Sequence, residues 1–275
     1  MSKYGRIVSV TLGEPGTTGR RLASVQSDGT QGLRIGFGVR RTATGEDDTA
    51  TVNLYGVAQR TIAELQESSA YLSIAAGYGK AHTLASGYVV PGSLRVTRES
   101  RVPIVTVSVS DGGIQARAAD VSKAWSQVSS DEAWAYAIGQ SGLDRGIYRP
   151  GRSVTYARGL YLLGTAAGAL DRLAADTGSR WGVTAGAVDV WPDDGTRTQR
   201  AVVLSSSTGL LPDPEPVDGG RWRCTVLLEP SLLPGDTVSV RSDALRGLLR
   251  LDSVEHAGDS GYAGDYFTAV TGAPV

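Results

Sequence analysis

The chain has 275 residues and a formal net charge of −1, with 27 Lys and Arg residues against 28 Asp and Glu residues. This length gives room for two domains, and the balanced charge excludes the basic excess that nucleic-acid binders and anionic-membrane binders usually carry. With 36 glycines and only 20% charged residues, the composition favours short strands and frequent turns over long solvated helices.

Residues 1–118 consist of short runs in which apolar and polar side chains alternate, separated by glycine turns. The runs at 33–40, 49–55, 71–78 and 103–109 have the period of two that places one face of a strand on a core. A spacing of roughly ten residues per strand is typical of a barrel or sandwich. One short helix is predicted at 58–67, where Ile62 and Leu65 share a face. We therefore predict an N-terminal β-barrel at 1–118.

The pattern changes between residues 119 and 200. A helix is predicted at 130–138, because Asp131 and Glu132 lie in its first turn, and a second helix at 165–177, because Gly178 follows it as a stop. The polar, Gly- and Arg-rich stretch at 142–159 is predicted to be a long loop. The runs 180–184 and 187–191 predict a hairpin. We therefore expect an α+β insert at 119–200.

The chain returns to strand patterns after residue 200. Strands are predicted at 201–204, 221–228, 237–241, 248–255 and 266–270, with turns at 234–236 and 258–261. We therefore predict a C-terminal β-barrel at 201–275.

No group of residues in the sequence has the pattern of a catalytic, cofactor or metal site. The run from His256 to Ser260 holds His, Asp and Ser, but neighbours in one turn cannot converge as a triad does. We expect His256 to end a strand and Asp259 to close a glycine turn by a side-chain hydrogen bond. Cys224 lies in a strand pattern and is expected to be a packed thiol. We therefore predict no enzymatic activity, no catalytic residue, no cofactor and no metal.

The start of the chain has no apolar signal core, and no run of about 18 apolar residues occurs anywhere in it. Neither secretion nor membrane binding is therefore predicted. We expect the protein to fold in the cytoplasm of the cell that makes it.

Several fragments resemble the baseplate or tail hub proteins of tailed bacteriophages. The C-terminal fragments are the most specific: 208–214 with the sequence TGLLPDP, 227–236 with LLEPSLLPGD, and 256–259 with HAGD. The N-terminal runs 33–37, 51–55 and 72–78 also match the order of the hub pattern, although Gly56 stands where an asparagine is usual. In the middle of the chain the match lies on Ala169, Leu170, Leu173, Gly178, Trp181, Gly186 and Val188.

The resemblance implies a fold that is mainly β with an α+β insert, built on two tail-tube-like β-barrel domains. The chain is short for two complete barrels, so the second is expected to be compact and to borrow strands from the insert. The resemblance further implies a homotrimeric ring that joins the tail tube or tape-measure protein to the trimeric cell-puncturing spike. Other baseplate proteins would be neighbours, and DNA would only pass through the channel. The location would be the virion tail.

Two sets of side chains are candidates for roles in such a ring. Exposed aromatic residues often dominate subunit contacts. We therefore expect the subunit contact to include some of the aromatic residues Tyr148, Tyr156, Tyr161, Trp181 and Trp191. The alternative is that these side chains pack only within their own domain. A channel wall that does not bind DNA is expected to be acidic or neutral. The candidates for this wall are Glu46, Asp47, Asp48, Asp193 and Asp194. The alternative is that these residues are simply solvated at the tips of turns.

Two other functions remain open from the sequence. One is a tail-tip hydrolase that acts on the bacterial cell wall. The other is a tube, carbohydrate-binding or adaptor module of the same tail.

Overall fold

The computed structural model describes residues 5–13, 19–24, 31–43, 49–67, 70–99, 101–110, 118–184, 186–198, 201–261 and 264–275. Three α-helices form in these ranges: α1 (Gln59–Gln66), α2 (Ser130–Gln140) and α3 (Ala166–Thr177). The N-terminal strands are β1 (Arg6–Leu12), β2 (Arg20–Ala23), β3 (Ile35–Thr42), β4 (Thr49–Tyr55), β5 (Tyr71–Tyr78), β6 (His82–Val89), β7 (Arg95–Glu99) and β8 (Val102–Ser110). The middle strands are β9 (Asp120–Trp125), β10 (Val128–Ser129), β11 (Asp144–Tyr148), β12 (Thr155–Tyr156), β13 (Leu160–Thr165), β14 (Ser179–Thr184) and β15 (Ala187–Pro192). The C-terminal strands are β16 (Ala201–Ser205), β17 (Leu210–Val217), β18 (Arg221–Leu227), β19 (Thr237–Arg241), β20 (Arg246–Asp259) and β21 (Tyr266–Pro274).

One large sheet contains strands from both ends of the chain. Its order is β17-β18-β21-β20-β3-β4-β8-β6-β5-β1-β2, with β19 beside β20, β16 beside β19 and β7 beside β8. The prediction of a mainly β protein with an α+β insert is confirmed. Within the described ranges the strand pairs form an open path rather than a closed ring. At the open end, the Leu33 N–H donates to the Ala23 carbonyl at 2.9 Å, which brings β2 close to the start of β3.

The strand β20 joins the two halves of the sheet. Its first part pairs with β19, from Arg246 to Arg250, and its second part pairs with β3, from Ser253 to Asp259. Asp252 lies between these parts as an extra residue, because Leu251 stands opposite Gly272 and Ser253 opposite Thr271 on β21. Such a bulge bends and twists a strand locally. It therefore lies where β20 changes from one partner to the other.

The buried side chains form three clusters. The first combines β1, β3 to β6 and β8 with α1, the second lies between α2, α3 and the strands β9 to β15, and the third lies among β16 to β21. Leu228 and Tyr266, which come from the C-terminal part of the chain, belong to the first cluster. The core of the N-terminal half is therefore completed by the C-terminal half.

The helices of the insert begin and end at capping residues. The Ser129 hydroxyl accepts the Glu132 N–H at 3.2 Å, and the Thr165 hydroxyl accepts the Gly168 N–H at 3.2 Å. Gly178 ends α3 with φ 59°, a left-handed conformation that glycine adopts without a steric cost. The loop predicted at 142–159 is wrong in part, since β11 pairs in parallel with β15 and β12 pairs with β10.

The C-terminal half differs from the expectation in two ways. The predicted borrowing of strands from the insert is wrong: in the described ranges, the insert strands pair only with one another. The 14-residue β20 reaches β3 instead, so the N-terminal half supplies the neighbouring strand. The second difference is β17, an edge strand with prolines at 212, 214 and 216. Proline has no N–H for a ladder and is confined mainly to sheet edges.

Tyr266 holds the two halves together by ring packing and by hydrogen bonds. Its ring makes edge-to-face contacts with Phe37 and Tyr78, at centroid distances of 5.9 and 5.2 Å. Its hydroxyl accepts the Gly77 N–H at 2.9 Å and lies 2.9 Å from the Ile7 and Gly77 carbonyl oxygens. A Cβ on Gly258 would lie 2.7 Å from the rings of both Phe37 and Tyr266, so only glycine fits beside them. Burial raises the pKa of Tyr266 to about 12.

We expect Tyr266→Phe to lower the free energy of unfolding by about 1–3 kcal/mol, because it leaves buried backbone groups of Ile7 and Gly77 without their partner. Urea unfolding followed by circular dichroism measures this loss. Tyr88→Phe is the matched control, since Tyr88 is 39% exposed, and it should change stability by less than about 0.5 kcal/mol. Equal effects of the two substitutions would contradict this role of the Tyr266 hydroxyl.

Candidate functional site

The outer face of the β9–β13 ribbon carries the most exposed of the five aromatic candidates. In the described part of the chain, β9 and β13 pair only with each other. Leu160 and Leu162 are buried, whereas Tyr161 and Leu163 are 50% and 67% exposed. This run of apolar residues on both faces of a strand was the signal by which Leu163 could have been found from the sequence. We call the surface formed by Tyr161, Leu163 and the Ala124 that stands opposite Tyr161 the ribbon face.

Tyr148 and Tyr156 are half-buried, and their hydroxyls are used inside the insert. The Tyr148 hydroxyl donates to Asp131 at 2.7 Å, and the Arg145 guanidinium lies 3.7 Å from the centre of the Tyr148 ring. The Tyr156 hydroxyl donates to Asp176 at 2.9 Å. Burial, together with the neighbouring carboxylate, raises the pKa of Tyr148, and the same causes raise the pKa of Tyr156 to about 12. These two tyrosines therefore hold α2 and α3 in place, and their role in a subunit contact stays a prediction.

The expectation that Trp181 and Trp191 are exposed is wrong. Trp181 is only 5% exposed and Trp191 only 2%. The two residues point to opposite faces of the β14–β15 hairpin, because Trp181 stands opposite Val190 and Trp191 opposite Arg180. The Trp181 indole N–H donates to Asp171 of α3 at 2.8 Å. On the other face, Trp191 lies against Gly235 of the C-terminal half. Both faces are covered within the chain, so neither tryptophan is available to a partner.

A buried ion cluster fastens the insert to the C-terminal half. The Arg197 guanidinium donates to Asp189 on β15 at 2.9 Å, and to Asp236 at 3.1 and 3.3 Å. All three residues are less than 10% exposed: Arg197 9%, Asp189 4% and Asp236 6%. The Thr198 hydroxyl and the Leu233 N–H also donate to Asp236, at 2.9 and 3.2 Å. We call Arg197, Asp189 and Asp236 the Arg197 clamp.

Asp236 belongs to the PGD turn that carries part of the family resemblance. The position of that turn is fixed further by the Arg197 N–H, which donates to the Gly235 carbonyl at 2.6 Å. On the insert side, Asp189 also accepts the Ile147 N–H at 2.7 Å. The turn is therefore a structural joint between two parts of the chain.

Only two of the five acidic candidates for a channel wall lie in the part of the chain that the structure describes. Glu46, Asp47 and Asp48 lie outside the described residues. Asp193 and Asp194 are exposed in the turn after β15. Asp193 forms an ion pair with Arg180, and its carbonyl accepts from Arg250 at 2.7 Å. Asp193 is therefore partly neutralised, and the channel role of both residues stays a prediction.

His256 lies in the interior of β20, so the expectation that it ends a strand is wrong. It is 1% exposed, and its Nδ1 lies 2.9 Å from the Thr268 hydroxyl. Thr268 in turn accepts the Glu229 N–H at 2.8 Å. Burial, and secondarily the charge of Arg41, lowers the pKa of His256 to about 3. The ring is therefore neutral at ordinary pH and inaccessible to a substrate.

The other reactive groups are also held in structural positions. Cys224 lies buried on β18 as expected, and burial raises the pKa of its thiol to about 11. The predicted turn at Asp259 is confirmed, because its carboxylate accepts the Gly261 N–H at 2.7 Å. In the ranges that the structure describes, no group of three or more His, Cys, Asp or Glu residues could hold a metal ion. No helix in those ranges is long and apolar enough to span a bilayer.

We expect Arg197→Met to lower the free energy of unfolding by about 3–5 kcal/mol, because it leaves two buried carboxylates without a counter-charge. Arg180→Met is the matched control: it breaks the exposed pair with Asp193, which should cost about 0–1 kcal/mol. Chemical denaturation measures both values. Adding Asp189→Asn and Asp236→Asn to Arg197→Met should restore part of the loss, and no restoration would contradict an electrostatic origin.

We expect the stability of the fold to fall as the pH decreases from about 6.5 to about 3, in part through His256. An unfolded histidine titrates near pH 6.5, whereas the pKa of folded His256 is about 3. The unfolded chain therefore binds an additional proton in this range, and the stabilisation present above pH 6.5 is lost as the pH falls. In urea titrations at several pH values, His256→Gln should show a shallower decline than the parent protein. An unchanged pH dependence of stability in His256→Gln would refute the role of His256.

Comparison with known proteins shows which solved structures share this fold. No protein-family model matches the sequence, and no curated protein matches it significantly. Solved structures do match: the 43 kDa tail protein of prophage MuSo2 from Shewanella oneidensis aligns with TM-score 0.65 and 10% identity, over 97% of this chain and 96% of its own. A tail protein from Neisseria meningitidis aligns with TM-score 0.66 and 12% identity, over 98% of this chain and 96% of its own.

A third structure extends the likeness beyond phages. It is a component of the Escherichia coli type VI secretion system with structural similarity to the T4 bacteriophage tail proteins gp27 and gp5. It aligns with TM-score 0.63 and 11% identity, over 96% of this chain and 76% of its own. At such identities the likeness concerns the fold, and at that level the resemblance read from the sequence is confirmed. This chain has the fold of phage tail proteins.

Proposed function

We propose that this protein is the central hub of a phage or phage-like tail. Three copies would form a ring that joins the tail tube or tape-measure protein to the trimeric cell-puncturing spike. The observation that carries the proposal is the alignment with two tail proteins over 96% or more of both chains, insert included. A match over the whole length supports a role that uses the whole architecture, rather than one borrowed domain.

The edges of the large sheet support assembly into a ring. Among the described strands, β7 pairs only with β8, and β16 pairs only with β19. Unpaired strand edges favour aggregation unless they are covered. A closed ring of head-to-tail copies covers such surfaces and limits the number of subunits. If each half of the large sheet corresponds to one tube-like unit, three copies would present six such units to a sixfold tube.

The ribbon face is the best candidate for contact with another tail component. Tyr161 and Leu163 are both at least half exposed, on a ribbon that no other described strand pairs with. Tyrosine and large aliphatic side chains that lose water at a contact contribute strongly to its free energy. We assign Tyr161 to an interface, with Leu163 beside it. Tyr148 and Tyr156 are half-buried and would contribute less.

The same ring would leave a channel through which DNA passes without binding. Asp193 and Asp194 lie together in one exposed turn, which would repel phosphates if it faced the channel. The ion pair with Arg180 weakens this effect at Asp193, so Asp194 would carry more of it. We assign no catalytic residue, because His256 and Cys224 are both buried in the sheet.

We expect native mass spectrometry to give three times the mass of one chain, for the protein alone or together with its spike protein. The physical reason is that a ring covers the unpaired edges of β7 and β16. A hexamer, or a monomer that stays monomeric with the spike present, would instead favour a tube or a binding module. Tight binding of duplex DNA at physiological salt would contradict a passive channel.

A further inference from the structure

A groove lies between the β7–β8 hairpin and the start of α1. It has a volume of about 340 Å³. We call it the hairpin groove; its apolar floor and its two guanidinium groups come from Val57, Ile62, Val96, Pro103, Arg98 and Arg101. No carboxylate lines it in the described part of the chain. It therefore suits a ligand that combines an apolar side chain with negative charge.

The hairpin beside this groove is uncovered. All five residues of β7 are exposed, on both faces of the strand. Val96 and Val102 are 45% and 44% exposed, values that are high for branched apolar side chains. Since β7 pairs only with β8 among the described strands, its outer edge is open as well.

The hairpin carries three arginines and one acidic residue. No side-chain hydrogen bond or ion pair joins the guanidinium groups of Arg95, Arg98 and Arg101 to another described residue. Glu99, the acidic residue of β7, does not line the groove. Arg101 also has φ 73°, and it is the one non-glycine residue with positive φ in the described ranges.

A surface with the complementary chemistry lies at the far end of the same sheet. Leu211, Asp213 and Glu215 are exposed on β17, and Leu211 is 39% exposed. The carboxylates of Asp213 and Glu215 form no hydrogen bond or ion pair with a described residue. Arg223 stands opposite Glu215 in the sheet, and Arg241 and Arg246 line a groove together with Asp213. The alternating prolines hold this segment extended in advance, which reduces the entropy lost on binding.

One chain cannot bring these two surfaces together. Six strands, β18, β21, β20, β3, β4 and β8, separate β17 from β7 along the sheet. Two copies placed head to tail can bring them together, because a heterologous contact joins two different patches. The prolines exclude a continuous backbone ladder at this edge, so recognition falls to side chains.

We propose that the hairpin groove of one copy binds β17 of the next copy. Leu211 occupies the apolar floor, and Asp213 and Glu215 face Arg98 and Arg101. This inference rests on the ring proposed above and names the contact that closes it. Unlike the ribbon face, which suits any apolar partner, this contact is specific for a second copy of the chain.

The test is a charge exchange between the two surfaces. Arg98→Glu with Arg101→Glu, and separately Asp213→Arg with Glu215→Arg, should each weaken self-association at least tenfold in sedimentation experiments. All four substitutions in one chain should restore most of it, because opposite charges then face each other again. Self-association of the parent protein should weaken as salt is raised. The control Arg21→Glu with Lys80→Glu changes two exposed basic residues outside both surfaces and should leave association unchanged.

Mixing the two double variants gives a second readout. Each can contact only the other, so the mixture should form even-numbered species but no closed ring of three. Normal assembly of both double variants would overturn the groove contact and leave the ring intact. A parent protein that stays monomeric with and without the spike would overturn both proposals. Loss of spike binding in the groove variant, with self-association unchanged, would show that the groove binds a different protein.

Discussion

The backbone ladder of β20 is the constraint on which the rest of the molecule depends. A strand in the middle of a sheet has to satisfy hydrogen bonds on both sides, and β20 does so with β21 on one side and with β19 and then β3 on the other. Because side chains alternate along a strand, this pairing fixes which residues of both halves face a core. The N-terminal and C-terminal parts are therefore one structural unit.

Polar joints add to this ladder at points where apolar packing alone would not fix an orientation. Tyr266 fits only where Phe37 and the ends of β1 and β5 are already in place. The Arg197 clamp has the same property for the insert, since its three charges are tolerated only when they meet. Burial of the three apolar clusters drives folding, and these polar contacts are satisfied only in the native arrangement.

Sequence patterns predicted the elements whose cause is local. The bounds of β5 and β19 followed from alternation alone, and the end of α3 followed from Gly178. Parallel pairing of β11 with β15 was not predictable, because the partner lies some forty residues away. β17 was missed because its prolines are typical of turns as well as of edges. The alternation of side chains also could not show that both faces of the β14–β15 hairpin are covered, because burial depends on which other elements pack on each face.

The extra residue at Asp252 has a consequence for how the chain tolerates changes in length. Deleting Asp252, or inserting one residue beside it, would shift the second part of β20 by one position relative to both β3 and β21. Every side chain in that part would then point to the wrong face of the sheet. Insertions in surface loops carry only a small entropic cost. Natural variation in length should therefore accumulate in the connections of the insert, while β20 keeps a constant number of residues.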